Sequence, residues 1–253
     1  VDSEHRILLL FDKLTTYKEE LYEGFKKTLH CRGTEQIFFH HNNLKMFRTI
    51  LEGATGRFTE YVIMPIPGKE AAEIINLIPV KKVFILDQGR ARYRESYACV
   101  CQDFERDIFR ILKKHTDEIA CYHRLVLVIR SLRIPLREIA SGFRCFSEES
   151  GMHCQVVQEI ESFQIKTRDL YIVVDDRDLE YLVKWAMKNQ LALGRQLGII
   201  SYNESPLKSI VASGITTIST DFERMGRTMA EMILLGKSLQ LDNPFIIKRR
   251  SSF

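Results

Sequence analysis

The sequence predicts an α/β protein with two lobes, each built on a parallel sheet. Short, almost continuous apolar runs alternate with amphipathic helical patterns, and the alternation begins again at Ala98. Such runs, each followed by a helix, are typical of parallel strands that are covered on both faces. With 253 residues, of which 45% are hydrophobic, the chain is long enough for two such halves.

The apolar runs and helical patterns divide into two sets of elements. In the first half, the predicted strands are residues 7–11, 36–39, 60–64 and 83–86, and the predicted helices are residues 14–29, 44–51 and 69–77. In the second half, the predicted strands are residues 98–101, 125–129, 155–157, 171–174 and 197–200, and the predicted helices are residues 103–118 and 136–149.

Two further helices carry specific sequence signals. A helix after Asp176 has one buried face, formed by Leu179, Leu182, Val183, Ala186 and Met187. We expect Asp176 to cap this helix and Asp103 to cap the helix that follows it. Near the C-terminus, a capping box formed by Thr220 and Glu223 predicts a helix that ends at Gly236. Its apolar stripe consists of Phe222, Met225, Met229 and Ile233.

Charge and cysteine content favour a cytoplasmic protein. The formal net charge is only +4 and there is no long basic run, which argues against a broad phosphate-gripping surface on this chain. The six cysteines form neither a metal-binding pattern nor a disulfide framework, so a reducing compartment is expected. No apolar run reaches membrane-spanning length and no signal peptide opens the chain, so no membrane partner is expected.

Motifs for cofactors and covalent catalysis are missing from the sequence. The first strand is followed by neither G-x-G-x-x-G nor a nucleotide P-loop, so we expect no cofactor. His40 and His41 are adjacent at a strand end and should point to opposite faces, as a surface pair rather than metal ligands. No G-x-S-x-G elbow is present. We therefore expect no enzyme; the enzymatic alternative uses Asp87 and Asp175 as an acid–base pair.

Several motifs, in order, resemble the effector-binding core of the LacI/GalR family of bacterial transcription regulators. Val174-Asp-Asp-Arg resembles the segment in which an Asn-Asp pair closes a strand, and Ile199 to Glu204 resembles the V-x-G-[YF]-D-D turn. Gly214 to Phe222 resembles the L-T-T-[IV] crossover, and residues 247–251 resemble the L-x-x-R-x-S ending. The match is continuous from Leu170 to Gly226. Weaker likenesses at residues 17–25, 100–103 and 142–143 extend it over most of the chain.

The resemblance implies the periplasmic-binding-protein type 1 architecture, with two Rossmann-like lobes joined by three hinge crossovers near Cys101, Thr220 and Leu241. The N-terminal lobe is then residues 1–101 plus 221–241, and the C-terminal lobe is residues 102–220 plus 242–253. It also implies a DNA-binding domain upstream of this chain, a homodimer and operator DNA as a partner. Ile139 stands where the family has arginine, with Arg137 nearby, which suggests a divergent branch, such as regulators with a GntR-type DNA-binding domain.

The resemblance also implies that a monosaccharide binds between the lobes as the effector. A sugar needs polar partners for its hydroxyls and an aromatic ring for its C–H face. The candidate ligand-binding residues are Asp12, Lys13, Tyr17, Asp87, Asp175, Asn203, Thr220 and Phe222. A structural role is an alternative to ligand binding for three of them. A turn explains Asn203 as well as ligand binding does, a place in the core explains Phe222 equally well, and a helix cap explains Thr220 better. A pentose or deoxyhexose is our expectation, and the alternative function is the solute-binding protein of a sugar ABC transporter.

Overall fold

A computed structural model describes residues 5–88, 97–131, 135–161 and 164–253 of the chain, in which strands and helices alternate. The strands are β1 (His5–Phe11), β2 (Gly33–Phe39), β3 (Glu60–Ile63), β4 (Val83–Asp87), β5 (Ala98–Cys101), β6 (Arg124–Val128), β7 (Cys154–Val157), β8 (Asp169–Val173), β9 (Gly198–Tyr202), β10 (Thr216–Thr220), β11 (Gln240–Asp242) and β12 (Phe245–Lys248). The helices are α1 (Thr16–Leu29), α2 (Leu44–Ala54), α3 (Lys69–Ile75), α4 (Phe104–Lys114), α5 (Thr116–Ile119), α6 (Leu136–Ser150), α7 (Asp176–Lys188) and α8 (Phe222–Leu234).

The chain forms two compact units. Unit 1 comprises Val1–Gln102 and Asp221–Pro244, and unit 2 comprises Asp103–Thr220 and Phe245–Phe253. The backbone therefore passes from one unit to the other three times. Each unit contains one six-stranded sheet. The predicted α/β fold class is confirmed.

The sheet of unit 1 has the strand order β2-β1-β3-β4-β5-β11, and all its neighbouring strands are parallel. Side chains of β1 alternate between the two faces, because successive residues of a strand point in opposite directions. Ile7, Leu9 and Phe11 pack with α1 and α8 on one face, whereas Leu8 and Leu10 pack with α2 and α3 on the other. Burial on both faces explains why this strand is a continuous apolar run.

The sheet of unit 2 has the order β7-β6-β8-β9-β10-β12. Its strands are parallel except for the edge strand β12, which runs antiparallel to β10. The sequence predicted parallel sheets, and β12 is the one antiparallel strand among the described residues of this sheet. It is antiparallel because the chain leaves unit 2 after β10 and returns directly into β12, without the crossover within the sheet that a parallel neighbour requires.

Glycines allow pairs of helices within each unit to pack closely. A Cβ atom on Gly226 of α8 would lie 1.9 Å from the carbonyl oxygen of Leu21 in α1, and one on Gly24 would lie 2.2 Å from that of Glu223. In unit 2, a Cβ on Gly142 of α6 would lie 2.0 Å from the carbonyl oxygen of Glu105 in α4. At these positions any larger side chain would force the helix backbones apart.

Three details of the predicted helices are corrected. The helix expected over residues 103–118 is two helices, α4 and α5, which meet at His115, where the backbone leaves the helical region (φ −111°, ψ 22°). Asp175 rather than Asp176 caps α7, and Asp221 rather than Thr220 caps α8. The apolar stripe of α8 is buried, Gly236 has the left-handed conformation expected after its end (φ 60°), and Asp103 caps α4 as predicted.

Candidate functional site

The strand order of each unit reverses beside its first strand, and this decides where a ligand site is expected. In unit 1, β2 lies on one side of β1 and β3 on the other. In unit 2, β7 and β8 flank β6 in the same way. In open α/β sheets, a crevice forms at such a reversal, outside the carboxyl ends of the strands. The residues that follow the parallel strands at these edges, beginning with β1 in unit 1 and β6 in unit 2, are therefore the relevant ones.

Unit 1 has a charged cluster at these strand ends. Asp12 follows β1, and its Oδ1 forms an ion pair with Nζ of Lys18, a buried lysine on the first turns of α1. Asp87 ends β4 and accepts a hydrogen bond from Nε2 of Gln102, at 2.5 Å, just after β5. Lys18 acts electrostatically on Asp87 as well as on Asp12, so one cation serves two carboxylates.

Asp87 is the most unusual residue of this cluster. It is 7% exposed and has a positive φ of 73°, which a non-glycine residue adopts only at an energetic cost. Burial raises the pKa of its carboxyl above the ordinary value, while the nearby charge of Lys18 and the hydrogen bond from Gln102 oppose that rise. A strained, buried carboxylate at a strand end is typical of a residue retained for binding.

Several buried oxygen atoms of unit 1 lack a hydrogen-bond partner among the described residues. Three of them lie close to strand ends: Thr15 Oγ1, after β1; Gln88 Oε1, after β4; and Gln102 Oε1, after β5. Buried polar atoms are normally paired, because an unpaired one has lost its hydrogen bonds to water. Hydroxyl groups of a ligand could donate to these oxygens.

The remaining candidates of unit 1 lie around the first turn of α1 and α8. Tyr17 is half-buried, and its ring packs against that of Phe222, with the ring centroids 4.8 Å apart and a tilt of 32°. Phe222 is 3% exposed and belongs to the core between α1, α8 and the sheet. Lys13 is exposed, and its backbone amide donates to Asp12. Tyr17 therefore has the more accessible ring of the two aromatic candidates.

His40 lies near the charged cluster but does not form the predicted surface pair with His41. It is fully buried, its Nδ1 accepts from the Asn42 amide and its Nε2 lies 2.9 Å from the Met64 carbonyl oxygen. This pattern requires a neutral ring with the proton on Nε2, and burial lowers the pKa of the imidazole. No cluster suited to a metal ion occurs among the residues that the structure describes.

In unit 2, Asp175 follows β8 but is already engaged. Its Oδ1 accepts from the backbone amide of Arg177 as the cap of α7, and the guanidinium of Arg177 donates to both carboxylate oxygens at 3.0 and 2.8 Å. The hydrogen bonds from Arg177 lower the pKa of Asp175 to about 2. Asp175 thus remains a permanent carboxylate at neutral pH, with about a third of its side chain exposed.

Lys208 organises the loop after β9. Its buried Nζ donates to the carbonyl oxygens of Tyr202 and Asn203, at 3.0 and 2.9 Å, and lies 2.9 Å from Oδ1 of the exposed Asp176. Asn203 has a left-handed backbone (φ 62°), as the turn interpretation requires. Thr220 is a buried residue at the end of β10.

Three further residues at these strand ends are not among the candidates predicted from the sequence. Lys18 and Gln102 hold the two carboxylates of unit 1. In unit 2, Arg130 follows β6 and makes two hydrogen bonds to the buried Asp178 of α7, at 2.6 and 3.2 Å. A polar residue immediately after an apolar run is a usable sequence signal for Gln102 and Arg130. Lys18 lies inside a helix with two other lysines and offers no such signal.

Together these groups offer hydrogen-bond donors and acceptors without an obvious nucleophile. Unit 1 brings Asp12 and Asp87 to the same lysine, and unit 2 arranges Arg130 and Asp175 after neighbouring strands. Such sets suit a polar, uncharged ligand that both donates and accepts hydrogen bonds. A carboxyl with a pKa of about 2, such as that of Asp175, is poorly suited to proton transfer at neutral pH.

Comparison with known proteins is consistent with this geometry. The family model described as a periplasmic binding protein-like domain matches residues 123–243. The trehalose repressor of Escherichia coli has a TM-score of 0.79 at 12% identity, over 97% of this chain and 100% of that one. A transcription regulator-like protein of Staphylococcus haemolyticus has a TM-score of 0.77 at 12% identity, over 99% of both chains. No curated protein matches the sequence.

A sugar-binding protein of a sugar ABC transporter from Bacillus halodurans is also similar, with a TM-score of 0.76 at 14% identity over 97% of both chains. The likeness to LacI-type regulators suggested by the motifs is thus confirmed, as a shared periplasmic-binding-protein-like fold. These similar folds are regulators and binding proteins rather than enzymes. No described helix is long and apolar enough to cross a membrane.

Proposed function

We propose that this chain is the sugar-sensing domain of a bacterial transcription regulator. It would bind a small sugar at the carboxyl ends of its strands. It would then control operator binding through a DNA-binding domain that lies outside this chain, of the GntR type in our proposal. The proposal combines the fold, which repressors share, with the polar residues at the strand ends.

The observation that carries the proposal is the set of unsatisfied buried oxygens in unit 1. Thr15 Oγ1, Gln88 Oε1 and Gln102 Oε1 have no partner among the described residues, and Gln102 itself is bonded to Asp87. Every sugar hydroxyl can donate one hydrogen bond and accept others, so a sugar could satisfy these oxygens and the carboxylates together. An anionic group of a ligand placed next to Asp87 would be repelled by its carboxylate.

We retain all the predicted contact residues in the proposal, with the structural additions Lys18, Gln102 and Arg130. The full set from the sequence is Asp12, Lys13, Tyr17, Asp87, Asp175, Asn203, Thr220 and Phe222. Tyr17 is the proposed stacking surface for the C–H face of the sugar, because its ring is more exposed than that of Phe222. A pentose or a deoxyhexose is the proposed ligand.

Regulation requires that the sugar favour one conformation of the regulator. A ligand with equal affinity for two conformations changes neither population, however tightly it binds. We propose that sugar contacts at the strand ends stabilise one conformation of the chain, and that the attached DNA-binding domain has a different operator affinity in that conformation. The amount of operator DNA bound by the full-length regulator should therefore change when the effective sugar is added.

A thermal-shift screen tests the sugar site directly. The chain is melted with a panel of pentoses, hexoses and deoxyhexoses, and stabilisation should follow RT ln(1 + [L]/Kd) for the ligand that binds. Gln102→Ala should abolish the shift, whereas Glu180→Gln, on an exposed helix face, should leave it unchanged. A sugar that stabilises the wild type and the Gln102 variant equally would exclude this strand-end site.

Asp175 needs a separate comparison because it caps α7. Asp175→Asn retains an oxygen that can accept from the Arg177 amide, whereas Asp175→Ala does not. If Asp175 contacts the sugar through its charge, both variants lose the ligand-dependent shift, although only the alanine variant loses the cap. A full shift in Asp175→Asn would remove the Asp175 charge from the proposed site.

We also propose that the protein is a homodimer in the cytoplasm. Unit 1 exposes Met46 on α2, and Leu77 and Val80 after α3, with Leu77 68% exposed. A second copy of the chain would bury these side chains. Leu77→Glu should shift the sedimentation coefficient towards that of a monomer, and an unchanged coefficient would contradict this interface.

The second candidate is the solute-binding protein of a sugar transporter, favoured by the similarity to the Bacillus halodurans protein. It predicts export to an oxidising compartment. All six cysteines are free, and Cys31, Cys121 and Cys145 are exposed, which favours a reducing compartment. Alkylation of the denatured protein isolated from its host should modify six thiols, and a smaller number would favour the transporter.

A further inference from the structure

A cavity of about 430 Å³ opens at the opposite end of the unit 2 sheet from Asn203 and Asp175. Tyr122, Arg168 and Arg195 line it, and these residues precede β6, β8 and β9 respectively. Arg249 and Phe253, which follow β12, complete the wall together with Glu118 of α5. The cavity therefore lies at the amino ends of the parallel strands, within unit 2, and shares no residue with the proposed sugar site.

Its apolar floor is held in place by specific contacts. The hydroxyl of Tyr122 donates to the carbonyl oxygen of Gly194 at 2.7 Å, and its ring stacks on Phe253, with the centroids 5.9 Å apart. Gly194 has a φ of 78°, and a Cβ atom there would lie 2.2 Å from the carbonyl oxygen of Ser251. This loop can approach the C-terminal segment closely only because position 194 is a glycine.

The cavity carries an excess of positive charge. Arg249 forms an ion pair with Glu118 and lies over the ring of Phe253, 5.0 Å from its centroid. Arg168 donates to the Cys121 carbonyl oxygen at 2.6 Å. The exposed Arg195 guanidinium has no hydrogen bond or ion pair with the described part of the chain. Three arginine side chains and one acidic side chain therefore line the cavity.

We propose that this cavity binds a small phosphorylated organic anion, independently of the sugar site. The planar guanidinium fork matches two phosphate oxygens at once, which an ammonium group does not. The volume falls within the range of small-molecule sites, about 300–1,000 Å³. The Tyr122 and Phe253 rings provide an apolar wall for the carbon part of the ligand. The ligand would be a second effector, recognised by a different surface from the sugar.

Isothermal titration calorimetry of the chain with ribose 5-phosphate, ribose and inorganic pyrophosphate tests the proposal. Ribose 5-phosphate and pyrophosphate should bind more weakly as salt increases, and any heat from ribose should be the same in the wild type and in Arg195→Gln. Arg195→Gln should weaken phosphate binding by about tenfold, the loss of one charge-assisted contact. This variant removes no interaction within the described chain, so it should fold normally. Arg227→Gln, an exposed arginine of α8 in unit 1, is the matched control and should bind as the wild type does.

Two sets of results would overturn the proposal. One is equal affinity of the wild type, Arg195→Gln and Arg249→Gln for ribose 5-phosphate, or no measurable heat from either phosphate compound. The other is tighter binding of a polyglutamate peptide than of either phosphate compound, which would assign the surface to an acidic protein partner. Failure here leaves the sugar screen unaffected, because Gln102→Ala and Arg195→Gln probe different units.

Discussion

The close contact between α1 and α8 leads to a quantitative prediction for Gly226→Ala. The added Cβ would lie 1.9 Å from the Leu21 carbonyl oxygen, whereas ordinary contacts begin at 3.4 Å. The helices would have to separate by the difference, about 1.5 Å. A gap of even 0.5–1 Å forfeits about a quarter to a half of the dispersion energy between facing atoms. Overpacked cores lose about 1–3 kcal/mol, and a backbone obstacle should place this variant near the upper end.

Helix propensity opposes that loss, since alanine is favoured over glycine by about 1 kcal/mol within a helix. The net expectation is a decrease of about 2 kcal/mol in the free energy of unfolding. With a urea m value of about 2 kcal/mol/M, the denaturation midpoint should fall by about 1 M. Far-UV circular dichroism during urea titration measures this shift.

Gly53→Ala is the matched control, because it makes the same chemical change in α2. Nothing lies within 4 Å of the Cβ that it would add, so only the propensity gain applies. This variant should be more stable than the wild type by about 0.5–1 kcal/mol. If Gly226→Ala were stabilised to the same degree, the steric argument for the α1–α8 contact would be wrong.

The remaining predictions concern ionisable residues, and urea titrations measure each of them. Because the folded pKa of Asp87 is raised, stability falls as pH increases from 3.8 through the folded pKa. The stability of Asp87→Asn relative to the wild type should therefore be greater at pH 7 than at pH 4. If the difference in stability between the two proteins did not change with pH, burial would not be the cause of the raised pKa. Lys18→Met should cost about 3 kcal/mol, since it leaves two carboxylates uncompensated. Asp87→Asn should recover part of that cost in the double variant, and strict additivity would refute the coupling. Asp175→Ala should lose about 1 kcal/mol of capping energy at pH 7. Asp175→Asn should lose less stability than Asp175→Ala. The wild-type pKa of Asp175 is lowered to about 2, so the stabilisation that depends on its charge is present above pH 3.8 and disappears as the pH falls through 2. Equal losses in both variants would contradict the capping role.

The order of strands and helices could be predicted because the sequence pattern within each short segment indicates its secondary structure. A strand segment buried on both faces is apolar at every position, as residues 7–11 of β1, Ala98–Cys101 of β5 and residues 170–173 of β8 are. The helix periodicity of α8 likewise identified its buried stripe. The edge strand β12 was harder to predict, because its direction depends on the path of the chain between the two units.

The caps of α7 and α8 were predicted one residue away from their true positions. Asp175 and Asp176 are adjacent at the start of α7, and Thr220 and Asp221 are adjacent at the start of α8. All are acceptable cap types. The choice depends on which residue has the non-helical backbone that directs its side-chain oxygen to the first free amides of the helix. That position in turn depends on where the preceding strand ends in the sheet.

The amino-acid sequence by itself determined that the chain alternates strands and helices, and that acids such as Asp12, Asp87 and Asp175 follow strands. Only the tertiary structure decided their partners. Lys18 reaches Asp12 from the next helix, Gln102 reaches Asp87 from a neighbouring strand, and Arg195 and Arg249 approach one cavity from distant parts of the sequence. The physical reason is that burial and hydrogen-bond periodicity act over a few residues, whereas an ion pair or a cavity forms only when folding brings separate segments together.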